Sequence, residues 1–195
     1  YLGSIGKFAP FAFVIGRPTH AGYPFNGTSA HRISAEIVRA MDTVPELSDE
    51  AFGERSPPPV CLEARDIRDG YDVTTPDRVW LSFNWLTHRR SAGEILGDFR
   101  SLVSGALQTA LETQDAHAAR YRNREVAPTE GLVLTYAELL ERLTARGDTA
   151  ALARLDALER ALSGSTDPLK VSREIVSTAA TEAGIEGPAV IIGFG

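Results

Sequence analysis

The stretch Gly16-Arg17-Pro18-Thr19-His20-Ala21-Gly22-Tyr23-Pro24-Phe25-Asn26-Gly27-Thr28-Ser29-Ala30 decides how this chain is read. An apolar run, Phe8 to Ile15, feeds into it and predicts a first strand. Apolar residues at helical spacing leave it (Ala30, Ile33, Ile37, Met41) and predict a helix from about Ser29 to Met41. Between the two lies a loop stiffened by Pro18 and Pro24, opened by Gly16, Gly22 and Gly27, and carrying one imidazole, His20. A strand, a rigid loop and a helix together present a polar group to something outside the fold. No second catalytic group is placed nearby in sequence to use His20, so its target is expected to come from elsewhere.

Outward from that loop the pattern stays regular. Residues 43–59 read as a linker, since Pro45, Gly53 and Pro57-Pro58-Pro59 oppose regular structure. Val60 to Ile67 predicts a second strand with Cys61 or Leu62 facing inward. Gly70 to Pro76 predicts a turn, and Val79 to Leu86 a third strand rich in aromatics. Ser91-Ala92-Gly93-Glu94 is a capping box opening the longest helix. Its stripe runs Ile95, Leu96, Phe99, Leu102, Val103, Ala106, Leu107, Ala110, Leu111 and ends near Arg120. Gly131 to Leu134 predicts a fourth strand. Thr135-Tyr136-Ala137-Glu138 repeats the capping box and starts a short helix that Gly147 stops. Residues 149–162 read as helix. Asp167-Pro168 predicts an N-cap and first turn of another helix, closed by Gly184 before a buried terminal strand.

The order is β-α-β-β-α-β. It predicts an α+β fold, a ferredoxin-like two-layer sandwich, with additional C-terminal helices and a terminal strand. Two units are expected: a first at residues 1–135 and a second at 136–195, the latter leading toward a neighbouring domain. The start at Tyr1 and the end inside Pro188-Ala189-Val190-Ile191-Ile192-Gly193-Phe194-Gly195 read as cuts, so the chain is expected to be a piece of a larger protein.

Composition narrows the function. The chain has 195 residues, 43% of them hydrophobic, enough for a real core. Net charge is −6 and the pI about 5.3, without the clustered Lys and Arg that a nucleic-acid surface needs. RNA binding on the sheet face lacks the required aromatic and basic pattern. One cysteine, Cys61, rules out an internal disulfide and a thiolate zinc cluster, and fits a reducing, cytoplasmic setting. No apolar run is long enough to span a bilayer, so no membrane partner is expected.

The chemistry-bearing residues are few. His20, His31, His88 and His117 form no His-Glu-x-x-His or His-x-Asp string, so no metal ligand set is assigned within the chain. Asp66 and Asp69 flank Arg68 as in a solvated turn. Gly-x-Ser-x-Gly is absent, and Gly193-Phe194-Gly195 is a weak fragment of a dinucleotide fingerprint. His31 reads as solvated. His88-Arg89-Arg90 reads as an exposed basic turn, with an anion contact as the lesser reading, and His117 as a dipole-favoured imidazole late in the long helix. Cys61 reads as a small buried hydrophobe. Trp80 and Trp85, at odd separation on one strand, face opposite sides, one expected in the core and one at an interface. A loop imidazole serves structure more often than catalysis, and for His20 the residues alone leave both open.

The run Gly16-Arg17-Pro18-Thr19-His20-Ala21-Gly22 with Pro24, Gly27 and Ala30 resembles the lid-domain signature of the di-zinc peptidase and deacylase family. That family includes aminoacylase, acetylornithine deacetylase and succinyl-diaminopimelate desuccinylase. Gly3-Ser4-Ile5-Gly6-Lys7 and Tyr71-Asp72-Val73-Thr74-Thr75-Pro76 are similar to one branch, the RocB-type arginine-utilisation proteins. The resemblance implies that residues 1–135 are a lid and dimerisation domain inserted into a zinc-binding domain, and that residues 165–195 return toward that domain. It implies a homodimer formed through the lid. It also implies that His20 reaches a partner subunit's active site and donates a hydrogen bond to the oxyanion of a tetrahedral intermediate. The two zinc ions and the general-base Glu would lie outside this chain, which is expected to be inactive alone. The substrate implied is an N-acyl amino acid or peptide-like amide, with no substrate-binding residue assigned here. Ser29 stands where the family has Asn, and Val73-Thr74-Thr75-Pro76 where it has Asn-x-x-Pro. The alternative expectation is a non-catalytic ferredoxin-like module for assembly or ligand sensing, which the same fold supports.

Overall fold

A computed structural model describes residues 5–68, 70 and 72–195. Gly3, Ser4, Asp69 and Tyr71, used in the readings above, lie outside the described residues. In chain order the elements are β1 (Gly6–Phe8), β2 (Pro10–Ile15), α1 (Ala30–Met41), β3 (Glu50–Ala51), β4 (Glu54–Arg55), β5 (Val60–Asp66) and β6 (Arg78–Thr87). There follow α2 (Ala92–Arg122), β7 (Leu132–Thr135), α3 (Tyr136–Ala145), α4 (Thr149–Leu162), α5 (Pro168–Glu182) and β8 (Ala189–Phe194).

The ten-residue β6 organises the sheet. β5 pairs along one edge, antiparallel, and β2 and β1 pair one after the other along the other. The expected first strand thus begins earlier, at Gly6, and is interrupted at Ala9, whose carbonyl accepts the Gly195 N–H (2.9 Å). β8 lies antiparallel to β2 over six residue pairs and parallel to β7. The order across the sheet is β5, β6, β1/β2, β8, β7.

Alternation along each strand sends side chains to two faces. Ala12, Val14, Val79, Leu81, Phe83, Trp85, Val190 and Ile192 face α1 and α2, meeting Ile33, Ile37, Met41, Phe99 and Val103. Phe11, Phe13, Ile15, Trp80, Ala189 and Ile191 face α3, α4 and α5, meeting Leu139, Leu143, Leu155, Val176 and Ala179. Because both faces are covered, all six residues of β2 are buried, as a continuous apolar run requires.

The α+β class and the ferredoxin-like β-α-β-β-α-β order stand. The additional C-terminal helices form a third layer. β8 sits between β2 and β7, so residues on both sides of 135/136 share one sheet, and α3–α5 cover that sheet's second face. Trp80 and Trp85 do face opposite sides, but both are fully buried. Trp80 stacks on Phe11 (ring centroids 4.7 Å apart), and the Trp85 indole donates to the Leu47 carbonyl (3.1 Å).

The 43–59 linker also carries regular structure. A 3-10 turn covers Pro45–Leu47, and β3 and β4 form a tight hairpin. Phe52 (φ 56°) and Gly53 (φ 78°) both turn that hairpin in the left-handed region, as a type I′ two-residue turn requires. Cys61 is half-buried against the first core and Leu62 is exposed. Among the described residues no helix is long and apolar enough to cross a membrane.

Candidate functional site

The His20 loop begins where β2 ends. At its base Arg17 and Thr28 exchange two backbone hydrogen bonds, both 2.8 Å. That closure requires glycine on each side. A Cβ on Gly27 would stand 2.2 Å from the Arg17 carbonyl, and one on Gly16 2.4 Å from the Thr28 carbonyl. Only a residue without a side chain permits so close an approach.

Further out, the loop is laced to residues 73–75. Ala21 N–H donates to the Val73 carbonyl (2.8 Å), and Thr75 N–H to the Thr19 carbonyl (2.8 Å). Thr19 N–H donates to the Thr75 hydroxyl (3.1 Å). His20 and Thr74 therefore face each other as an isolated antiparallel bridge. Arg68 anchors residues 73–75 by donating to the Thr74 carbonyl (3.0 Å). Its guanidinium also holds the Asp66 carboxylate through Nε and Nη2, which keeps Asp66 below the usual carboxylate range.

The imidazole itself is exposed. Its Nδ1 accepts the Gly22 N–H (3.0 Å), and the His20 carbonyl accepts the Tyr23 N–H (2.8 Å). In a neutral imidazole an accepting Nδ1 places the ring proton on Nε2. The loop thus selects the tautomer whose outward nitrogen is a donor. The Tyr23 ring lies beside it, 5.9 Å between centroids.

The remaining imidazoles stand apart. His31 Nε2 lies 3.4 Å from Asp66 Oδ2 on the solvated side of α1. His117 sits half-buried late in α2. The His88-Arg89-Arg90 turn does meet an anion, and the anion is internal. Asp49 accepts from the Thr87 hydroxyl (2.7 Å) and from the backbone N–H groups of His88 (2.8 Å) and Arg89 (2.7 Å). The Thr87 bond foremost, then those N–H groups, holds the Asp49 carboxyl well below the ordinary range. Among the described residues no three His, Cys, Asp or Glu side chains stand together to hold a metal ion.

Sequence reasoning singled out the His20 loop and its glycines. It missed the Arg68 anchor and the Asp49 hub. Two Asp flanking an Arg give no sign of which Asp pairs with it, and Asp49 lies in a segment read as unstructured.

No family model matches the chain. YqjN of Bacillus subtilis (strain 168), an uncharacterised protein, is 30% identical over 200 residues, covering 98% of this chain and 36% of its own length. RocB of the same organism is 28% identical over 152 residues, covering 75% of this chain and 27% of its own. The chain spans about a third of the length of these curated relatives. Among solved structures, the aminopeptidase PepT from Bacillus cereus ATCC 10987 superposes over 63% of this chain and 37% of its own. Its TM-score is 0.40 and its identity 13%. The similarity to RocB-type proteins read from Gly3-Ser4-Ile5-Gly6-Lys7 and Tyr71-Asp72-Val73-Thr74-Thr75-Pro76 stands, and the chain matches one part of a longer protein of that type.

Proposed function

We propose that this chain is the lid and dimerisation portion of a larger zinc-dependent amidohydrolase or peptidase. Its substrate would be an N-acyl amino acid or peptide-like amide, and His20 would serve the active site of a partner subunit. One observation carries the reading: an exposed imidazole on a doubly laced loop whose inner nitrogen accepts a backbone N–H, leaving Nε2–H as an outward donor. Amide hydrolysis develops negative charge on the carbonyl oxygen. A donor held in place before the reaction stabilises that charge without reorganising. Supplying it from a lid couples the chemistry to closure.

Among the described residues no three possible ligands converge to fit a zinc site, so the two ions would be held by residues of another domain. For the homodimer, β5 is the favoured edge. It pairs only with β6 among the described residues, and Val60 and Leu62 are exposed on it.

The test is His20→Ala in the zinc-loaded full-length protein, assayed on N-acetyl amino acids and dipeptides. Turnover should fall by about 10²–10³, with KM and bound zinc little changed. Mixing His20→Ala subunits with subunits disabled in the metal centre should restore activity, because one heterodimer site then has both parts. Full turnover in His20→Ala, or no hydrolysis by the wild type, would return the chain to a non-catalytic assembly or ligand-sensing module.

A further inference from the structure

Nine residues of α2 are buried, and eight of them are apolar; the ninth is Gln114. A primary amide on a core stripe needs a reason, because an unpaired one costs more than the hydrophobe it displaces. Gln114 is 8% exposed, and its Nε2 donates twice, to the Gly27 carbonyl (2.6 Å) and to the Thr28 hydroxyl (3.2 Å). Both amide hydrogens are therefore used. Thr28 is itself buried and forms the base bridge with Arg17. Gly27 is the residue whose missing side chain lets that bridge close. The amide grips the point where the two ends of the His20 arm meet.

We propose that Gln114 is a positioning residue for His20, an inference that rests on the function proposed above. It does not touch the imidazole and is almost wholly buried. Its two bonds tie the base of the arm to the longest helix of the molecule, so the direction in which Nε2 projects is set against a rigid body rather than against the loop alone. An oxyanion donor acts only within about 2.7–3.1 Å of its target. Misplacement by about 1 Å costs on the order of 10²-fold. An apolar residue at 114 would fill the core equally well and leave the Gly27 carbonyl and the Thr28 hydroxyl without this donor, so the arm would swing from its base.

The test is Gln114→Met in the full-length protein, which keeps the side-chain volume and removes both donors. Amide exchange over residues 17–28 should rise about tenfold while peptides from β2 and the body of α2 stay protected. On N-acetyl amino acids and dipeptides kcat should fall about tenfold with KM within twofold. The double variant His20→Ala/Gln114→Met should be no slower than His20→Ala alone. A purely structural Gln114 would give exchange rising across α2 and β2, or a loss that multiplies with that of His20→Ala; either result overturns the inference, as does unchanged exchange in the loop. Should Gln114→Met not fold, Thr28→Val carries the same test with a smaller expected rise in exchange, about threefold. Full turnover in His20→Ala sinks the catalytic reading and this inference together. Impaired His20→Ala beside a silent Gln114→Met sinks this inference alone.

Discussion

Asp49 shows how much one carboxylate can organise. Its Oδ2 gathers the Thr87 hydroxyl and the N–H groups that open the turn after β6. Its backbone N–H donates to the Ser56 hydroxyl oxygen (2.8 Å), closing the hairpin segment. The folded carboxyl titrates below its ordinary value, so the stability it contributes is complete above the unfolded pKa of about 4 and is lost as pH falls below that. Asp49→Asn should therefore cost about 1–2 kcal/mol at pH 7 in urea unfolding. The gap from wild type should narrow as pH drops from 5 toward 2. A gap independent of pH would mean that the charge on Asp49 does not matter. His20 and Gly22 make the complementary point. The residue types and their spacing were legible, but the tautomer follows only from the folded distance between Nδ1 and the Gly22 N–H.

Among the elements, the helix starts were the most legible. Ser91/Glu94 and Thr135/Glu138 form reciprocal capping boxes, and Asp167 caps α5 ahead of Pro168, all from patterns within four residues. The β3–β4 hairpin was not legible. Phe52 stands at φ 56° and is 83% exposed, so it holds a left-handed conformation with no compensating packing among the described residues. A bulky residue at that position gives no turn signal, whereas Asn-Gly would have. Phe52→Asn should accordingly raise stability by about 0.5–1 kcal/mol, measured by denaturant midpoint at constant m-value. A loss of stability instead would mean that the ring packs in solution.

For the whole molecule the deciding fact is the place of β8. Inserted between β2 and β7, it makes residues 10–15 a central strand and puts α3–α5 over the second sheet face. Residues 1–135 alone would leave Phe11, Phe13 and Trp80 facing water, a row of large apolar groups that a soluble fragment does not tolerate. That fragment should aggregate or bind a hydrophobic dye, whereas residues 1–195 should unfold cooperatively. A monomeric, cooperatively folding 1–135 would show that the first unit stands without the second.

The order of the main elements apart from the β3–β4 hairpin, the capping boxes, the opposed faces of Trp80 and Trp85 and the stiff His20 loop follow from the sequence by itself. Each depends on side chains a few residues apart, where backbone geometry leaves little choice. The third layer, the central position of β8, the internal partner of the His88-Arg89-Arg90 turn and the grip of Gln114 on Gly27, 87 residues away, were decided only by the tertiary structure. Pairings over such separations are selected by the burial they achieve together, and no local pattern encodes which distant strand or carbonyl will complete them.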